Sequence, residues 1–293
     1  MTIVQALLGV LIVCGVMLLA AWRASARRNR QPAALPGVLH SLVGFVTNFF
    51  DTLGIGSFAT TTTAFRMLRL VPDELIPGTL LVGLALPVIA QALIFITVVE
   101  VNPGQMAALI ASCVAGGWLG AGVVCSVSRR AIQLAMGIAL SAAALLMLMG
   151  MLGLIPAGGS ATTFSPSAFV VAIGVSVVLG ALLTIGIGNY APSLIVFSLL
   201  GMDPRAAFPI MMGSGAFVAT IAGSRFIARA RFDSRAAIGL TVGGIPGVLI
   251  AAWLVQSLPL DALRWVVLVV VIYSAISLLR TAFSGPPARD EPA

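Results

Sequence analysis

The sequence predicts an all-α polytopic membrane protein, built as two inverted repeats after one extra N-terminal helix. Its composition, the lengths of its apolar segments and an internal repeat carry that prediction. Sixty per cent of the 293 residues are hydrophobic and 9% are charged, against roughly 25% charged in soluble domains. So few charges cannot make a water-facing surface. The 31 Gly and 16 Pro fit, because both are commoner in membrane helices than in soluble ones. The sixteen basic residues are all arginine and outnumber nine acids, giving a net charge of +7. They lie between apolar spans, where they set orientation and meet anionic headgroups. No aromatic–basic interleaving points to nucleic acid. Cys14, Cys113 and Cys125 form no C-x-x-C pair and read as small buried hydrophobes rather than metal or redox groups.

Residues 3–22 form the first span, about 20 residues and long enough to cross a bilayer. A cleavable signal peptide carries its positive charge before the apolar core. Here Arg23, Arg27, Arg28 and Arg30 follow it, so residues 1–30 read as a retained helix with an outer N-terminus, followed by a basic loop. Pro32 and Pro36 mark a linker. Further apolar segments run over 38–70, 76–99, 104–127, 131–155, 168–200, 207–228, 236–257 and 262–283.

Segments 38–70 and 168–200 are too long for one crossing. A straight helix of either length would be about 50 Å long, against a hydrocarbon core of ~30 Å. Each carries paired glycines near its middle, Gly54 and Gly56 in one, Gly186 and Gly188 in the other. Each is therefore one tilted helix or a hairpin of two half-helices folded at the glycines. Arginine placement separates the two. With hairpins, only Arg205 and Arg264 of the sixteen arginines fall outside; with single crossings, Arg66, Arg69, Arg129 and Arg130 join them. The positive-inside bias favours hairpins, and it puts the tail, 284–293, in the cytoplasm.

Thr52-Leu-Gly54-Ile-Gly56 repeats as Thr184-Ile-Gly186-Ile-Gly188 at an offset of 132, which also aligns Ala59 with Ala191, Pro72 with Pro204, Pro77 with Pro209 and Gly83 with Gly215. Gly116-Gly117-x-x-Gly120 returns as Gly243-Gly244-x-x-Gly247 at an offset of 127. Repeat 1 spans 38–155 and repeat 2 spans 168–283, each a broken hairpin plus three crossings. Three is odd, so the second copy is inverted and the two glycine tips approach each other near the midplane, as in many secondary transporters. The later glycine clusters read as close helix packing.

Half-helices starting at Ile55–Ser57 and Ile187–Tyr190 would present free N–H groups and partial positive charge, which favour an anion. Glycine lets backbone approach a ligand without a Cβ clash. The candidate substrate-binding residues are Gly54, Ile55, Gly56, Ser57, Thr60, Gly186, Gly188, Asn189, Tyr190 and Ser193. Two other readings stay open: Ser57 and Asn189 as ordinary helix caps, and carbonyls at the ends of the first half-helices binding a cation. Asp51, with Asn48 on the preceding turn, is the proton-coupling candidate, since an ionisable group inside a span is costly. Its alternative role is to hydrogen-bond the broken backbone. Leu183 stands at the equivalent position, so either role is asymmetric. Of the run Thr60–Thr63, at most two can face a pathway, and the rest bond back to the helix. Gln91 reads as a helix–helix hydrogen-bonding residue, His40 as interfacial, Glu100 as solvated and Arg225 as snorkelling.

Asp51-Thr-Leu-Gly54-Ile-Gly56-Ser57 and Gly186-Ile-Gly188-Asn189-Tyr190-Ala-Pro192-Ser, inside a twice-repeated unit over about 38–283, resemble the sulfite exporter TauE/SafE family. Ser57 and Asn189 stand where that family's turn usually carries a further glycine. The resemblance implies export of a small anion, sulfite or an organosulfonate, across the bacterial inner membrane by a secondary transporter. The expected partners are that anion and the bilayer, and a homo-oligomer is compatible. No cofactor, metal site or catalytic group is expected: the chain has no Lys and no G-x-x-x-x-G-K-[ST] loop, and its acids are scattered and its one His lies near a span end. The alternatives are a cation or metal-ion carrier on the same scaffold, a membrane-embedded enzyme, and a non-transporting assembly subunit.

The orientation is testable by thiol labelling in a cysteine-free background. A cysteine introduced by Arg66→Cys should react only from the cytoplasmic side and one introduced by Arg205→Cys only from outside. Reaction of the first from outside alone would refute the hairpin arrangement.

Overall fold

The computed structural model describes residues 2–28, 35–53, 56–72, 75–123, 160–184, 189–257 and 260–283, with scattered helical positions between 130 and 152. Among these residues the chain is helical, apart from one isolated bridge between Ala161 and Met202. The helices are α1 (Ile3–Arg28), α2 (Val38–Thr52), α3 (Ser57–Met67), α4 (Ile76–Gly83), α5 (Ala85–Val98), α6 (Pro103–Val123), α7 (Pro166–Thr184), α8 (Tyr190–Leu199), α9 (Pro204–Ala228), α10 (Ser234–Ser257) and α11 (Leu260–Phe283). Five stretches are long and apolar enough to cross a membrane: Ile3–Arg28, Ile76–Val98, Pro166–Leu183, Pro204–Ala228 and Ser234–Val255. The protein is a multi-pass membrane protein.

Both over-long segments are broken. The first stops at Thr52 and restarts at Ser57, with Gly56 at φ 86°, a conformation that glycine adopts without a Cβ penalty. The second is helical to Thr184 and again from Tyr190. Each then folds back to its starting end. His40, near the start of α2, meets Phe65, near the end of α3, with ring centroids 6.1 Å apart. Phe164, just before α7, meets Phe197 near the end of α8 at 5.5 Å.

The two half-helices finish in matching turns. Leu70 donates its N–H to Phe65 O and Met202 to Phe197 O, both at 3.0 Å, around positive φ at Arg69 (50°) and Gly201 (96°). These pairs are 132 residues apart, and the wrapped bond closes the helix end as a Schellman turn does.

Contacts sort the loops into two groups. Around the open end of the first hairpin, Ser25 Oγ donates to Ile227 O, Asp233 N–H donates to Thr79 Oγ1, and Trp22 packs edge-on against Phe232. Around the open end of the second, Gln105 brackets the Phe164 backbone by accepting from its N–H at 2.8 Å and donating to its carbonyl at 3.0 Å. Asn102 N–H donates to Thr162 O, and Asp203 N–H to Ala161 O. The continuous stretch of α4 and α5 joins the groups, from Thr79 to the residues just before Asn102.

The core lies where α9 crosses α5. Phe95 and Phe208 stack there at 5.2 Å, and 89% of the most apolar window of α9 is buried. This fits a helix that is hydrophobic all round. By contrast only 17% of the α1 window is buried, so α1 lies at the rim facing lipid. It also extends beyond the first predicted span through Arg27 and Arg28, whose charges suit a helix C-terminus.

The first helix of each half packs along the glycine-cluster helix of the other, α2 on α10 and α7 on α6. The glycine clusters make these contacts close. A Cβ at Gly243 would run into the Ser41 carbonyl, and one at Gly116 into the Val177 carbonyl, as small residues at membrane helix interfaces allow.

Gly243→Ala should therefore destabilise the detergent-purified protein by about 1–3 kcal/mol, the usual cost of overpacking. Gly174→Ala, where an added Cβ meets nothing within 4 Å, should leave the thermal midpoint unchanged or slightly raised. Equal midpoints for the two variants would refute this account of the interface.

Candidate functional site

The break in the first hairpin sets a problem of hydrogen bonding. The first N–H groups of a helix have no partner within it, and lipid supplies none. At α3 the chain supplies its own acceptor. Asp51, the next-to-last residue of α2, accepts from the Ser57 backbone N–H through Oδ1 at 2.5 Å, and the Ser57 hydroxyl also bonds to its carboxylate. The other carboxylate oxygen accepts from Gln91 Nε2 at 2.9 Å. Asp51 is 2% exposed and Gln91 is fully buried.

Gln91, in the middle of α5, uses all of its side-chain amide. Nε2 donates also to Thr52 Oγ1 at 2.9 Å, and Oε1 accepts from the Tyr190 hydroxyl at 3.0 Å. Tyr190 is the first residue of α8, so the bridge runs from the start of one returning half-helix to the start of the other. Gly215 of α9 leaves room for the phenol ring: a Cβ there would lie 3.2 Å from its Cε1 and hydroxyl.

These groups enclose a cavity of about 20 Å³ lined by Asp51, Gly56, Ser57, Asn189 and Tyr190 from the two breaks, and by apolar side chains that include Val88, Leu183 and Val218. That is room for about one water. Among its described lining residues only Asp51 carries a charge. Asn189, 2% exposed, has no hydrogen-bond partner for Oδ1. No three His, Cys, Asp or Glu side chains gather into a metal-binding group among the described residues.

A family model for "Sulfite exporter TauE/SafE" matches residues 41–278. The chain belongs to the sulfite exporter TauE/SafE family. This is a family of transporters and not of enzymes. No curated protein and no solved structure matches the chain. Both hairpin breaks and every described cavity-lining residue fall inside the TauE/SafE match, and α1 falls outside it.

Of the residues singled out in this TauE/SafE-family sequence, Asp51, Gly56, Ser57, Asn189 and Tyr190 come together at the cavity. Gly54, Ile55, Gly186 and Gly188 lie outside the described residues. Thr60 and Ser193 are not in the cavity lining. The Thr60 hydroxyl donates to the Gly56 and Ser57 carbonyls of its own helix, and Ser193 is buried one turn beyond Asn189. Asn48 faces α10 near Gly244, its amide donating to Gly44 O at 2.8 Å. In the threonine run, Thr62 bonds back to Phe58 O, while Thr61 is fully buried with its hydroxyl unpartnered. Gln91 is the central residue that sequence reasoning left outside the candidate site. Its signal was a lone amide in mid-span, where the other polar side chains, Thr79 and Thr97, lie near the two ends.

Tyr190→Phe should cost about 0.5–1.5 kcal/mol, one neutral hydrogen bond. Gln91→Leu should cost more, about 2–4 kcal/mol, because a carboxylate oxygen and a phenol each lose a buried partner. Thermal unfolding in detergent checks the order. A Gln91→Leu midpoint at or above that of Tyr190→Phe would refute the bridge.

Proposed function

We propose that this protein is a secondary transporter that exports a small oxyanion of the sulfite or organosulfonate class across the bacterial inner membrane. The substrate sits between the two glycine-broken tips. The observation that carries this reading is the handling of Asp51. A backbone N–H, a hydroxyl and a side-chain amide converge on its carboxylate, with no arginine among the described residues that line the cavity. A site that solvates one oxyanion with neutral dipoles has the chemistry to solvate another. The binding residues are then Gly54, Ile55, Gly56 and Ser57 on one side and Gly186, Gly188, Asn189 and Tyr190 on the other, with Thr60 and Ser193 a turn deeper.

The scaffold supports the same reading. The hairpins open toward different loop groups, and their tips line one cavity. This is the geometry expected of inverted repeats. A cavity of about 20 Å³ does not admit a sulfonate, so the tips must part to load it. Parting toward one loop group and then the other gives access from alternate sides. A cation carrier would need carboxylate oxygens free to face the cavity, and both oxygens of Asp51 accept from donors already.

Purified protein in liposomes should move at least one of sulfite, sulfoacetate, thiosulfate and sulfate faster than protein-free liposomes do, as read with radiolabelled anions. Cation flux with none of these anions moving would overturn the assignment.

A further inference from the structure

The same hydrogen bonds make Asp51 a rival of the substrate. We propose that ionised Asp51 is the built-in occupant of the anion site, so that a substrate anion binds only when Asp51 has taken a proton, and anion and proton cross together. This rests on the transport reading above and specifies its coupling. The Ser57 N–H at the head of α3 and the Gln91 amide already hold the Asp51 carboxylate. A second anion in so small a cavity would lie within a few Å of that carboxylate, and like charges at that range cannot both be ionised cheaply in a dry site. Among the described lining residues no countercharge relieves them. Facing Asp51, α3 offers Ser57, α5 offers Gln91 and Val88, α4 offers Leu81, and α9 offers Gly215, Val218 and Ala219. Tyr190 of α8 is the one other titratable group among the described lining residues, and its hydroxyl donates to Gln91. A second feature marks the place for a ligand: Asn189 is buried in the cavity wall with Oδ1 unpartnered, and rotation of its amide would present Nδ2 to an anion.

In the cycle, water on the open side gives a proton to the Asp51 carboxylate. The neutral acid accepts hydrogen bonds more weakly, so the Ser57 N–H passes to the entering anion. On the far side both leave, and the carboxylate reclaims the amide. For a dianion, one accompanying proton leaves a single negative charge in transit. An inside-negative membrane potential then drives it outward.

The test uses the full chain in liposomes with sulfoacetate and thiosulfate, whose charges do not change between about pH 6 and 8. Wild-type affinity should fall about tenfold per pH unit once Asp51 is ionised, and an internal pH dye should register about one proton entering with each anion. Asp51→Asn should keep the low-pH affinity at every pH and move anion without proton. A folded Asp51→Asn protein that binds neither anion, or one that keeps the wild-type pH slope, would overturn the proposal. So would wild-type anion flux unaccompanied by protons, a measurement that needs no variant. If wild-type protein moves no anion at all, the transport reading itself fails.

Discussion

A backbone break buried inside the protein is the constraint from which the site follows. Ser57, at the opened end of α3, is buried, so its N–H needs an acceptor inside the protein. The acceptor is the Asp51 carboxylate. A carboxylate at that depth needs donors in turn, and Gln91 reaches it from α5. The amide oxygen of Gln91 then needs a donor of its own, which Tyr190 supplies from the other broken element. Each polar group brings in the next, because an unpartnered one is costlier in a dry interior than in water. The result ties the two halves together at the place where both helices are interrupted.

The two halves are alike as rods and unlike at the centre. Their half-helices end in the same wrapped turn, with the same bonds 132 residues apart, and their outer helices pack across to each other reciprocally. Yet Leu183 stands where the first half has Asp51. A symmetric site would place two carboxylates around a cavity of about 20 Å³, where one would repel the other out of its charged form. With one carboxylate and one phenol among its described lining residues, the cavity avoids that repulsion.

Much of the architecture was legible in the chain because bilayer thickness limits it. Segments 38–70 and 168–200 exceed one crossing, and the arginine distribution disfavours straight passage, so hairpins followed before any contact was known; the His40–Phe65 and Phe164–Phe197 contacts bear this out. The choice between the two readings of Asp51 was not legible, because it depends on an atom six residues on and another forty residues on. In the structure its carboxylate accepts from the Ser57 N–H and from the Gln91 amide, contacts that either reading accommodates. The partners of Gln91 were equally hidden: a lone amide in a span announces a hydrogen bond but not with whom, and Tyr190 is 99 residues away. Thr60 was legible in its chemistry and not in its contacts: its hydroxyl donates to carbonyls of its own helix, as threonine does mid-helix.

The absence of a fixed positive charge from the described lining of the cavity is as informative as the donors in it. An arginine there would hold a sulfonate through a bidentate pair, and release to either side would become the slow step. Of the sixteen arginines, Arg66, Arg69 and Arg225 lie exposed at span ends and Arg205 is half-buried near the start of α9; none of these four lines the cavity. Dipoles alone give each helix terminus only ~0.3–2 kcal/mol of preference for an anion. Binding of that strength is easily reversed, and reversal on both sides is what a carrier requires. The same weakness would let one carboxylate on a short side chain compete for the site, so modest affinity and the proposed coupling to Asp51 would both follow from neutral donors in place of charged ones.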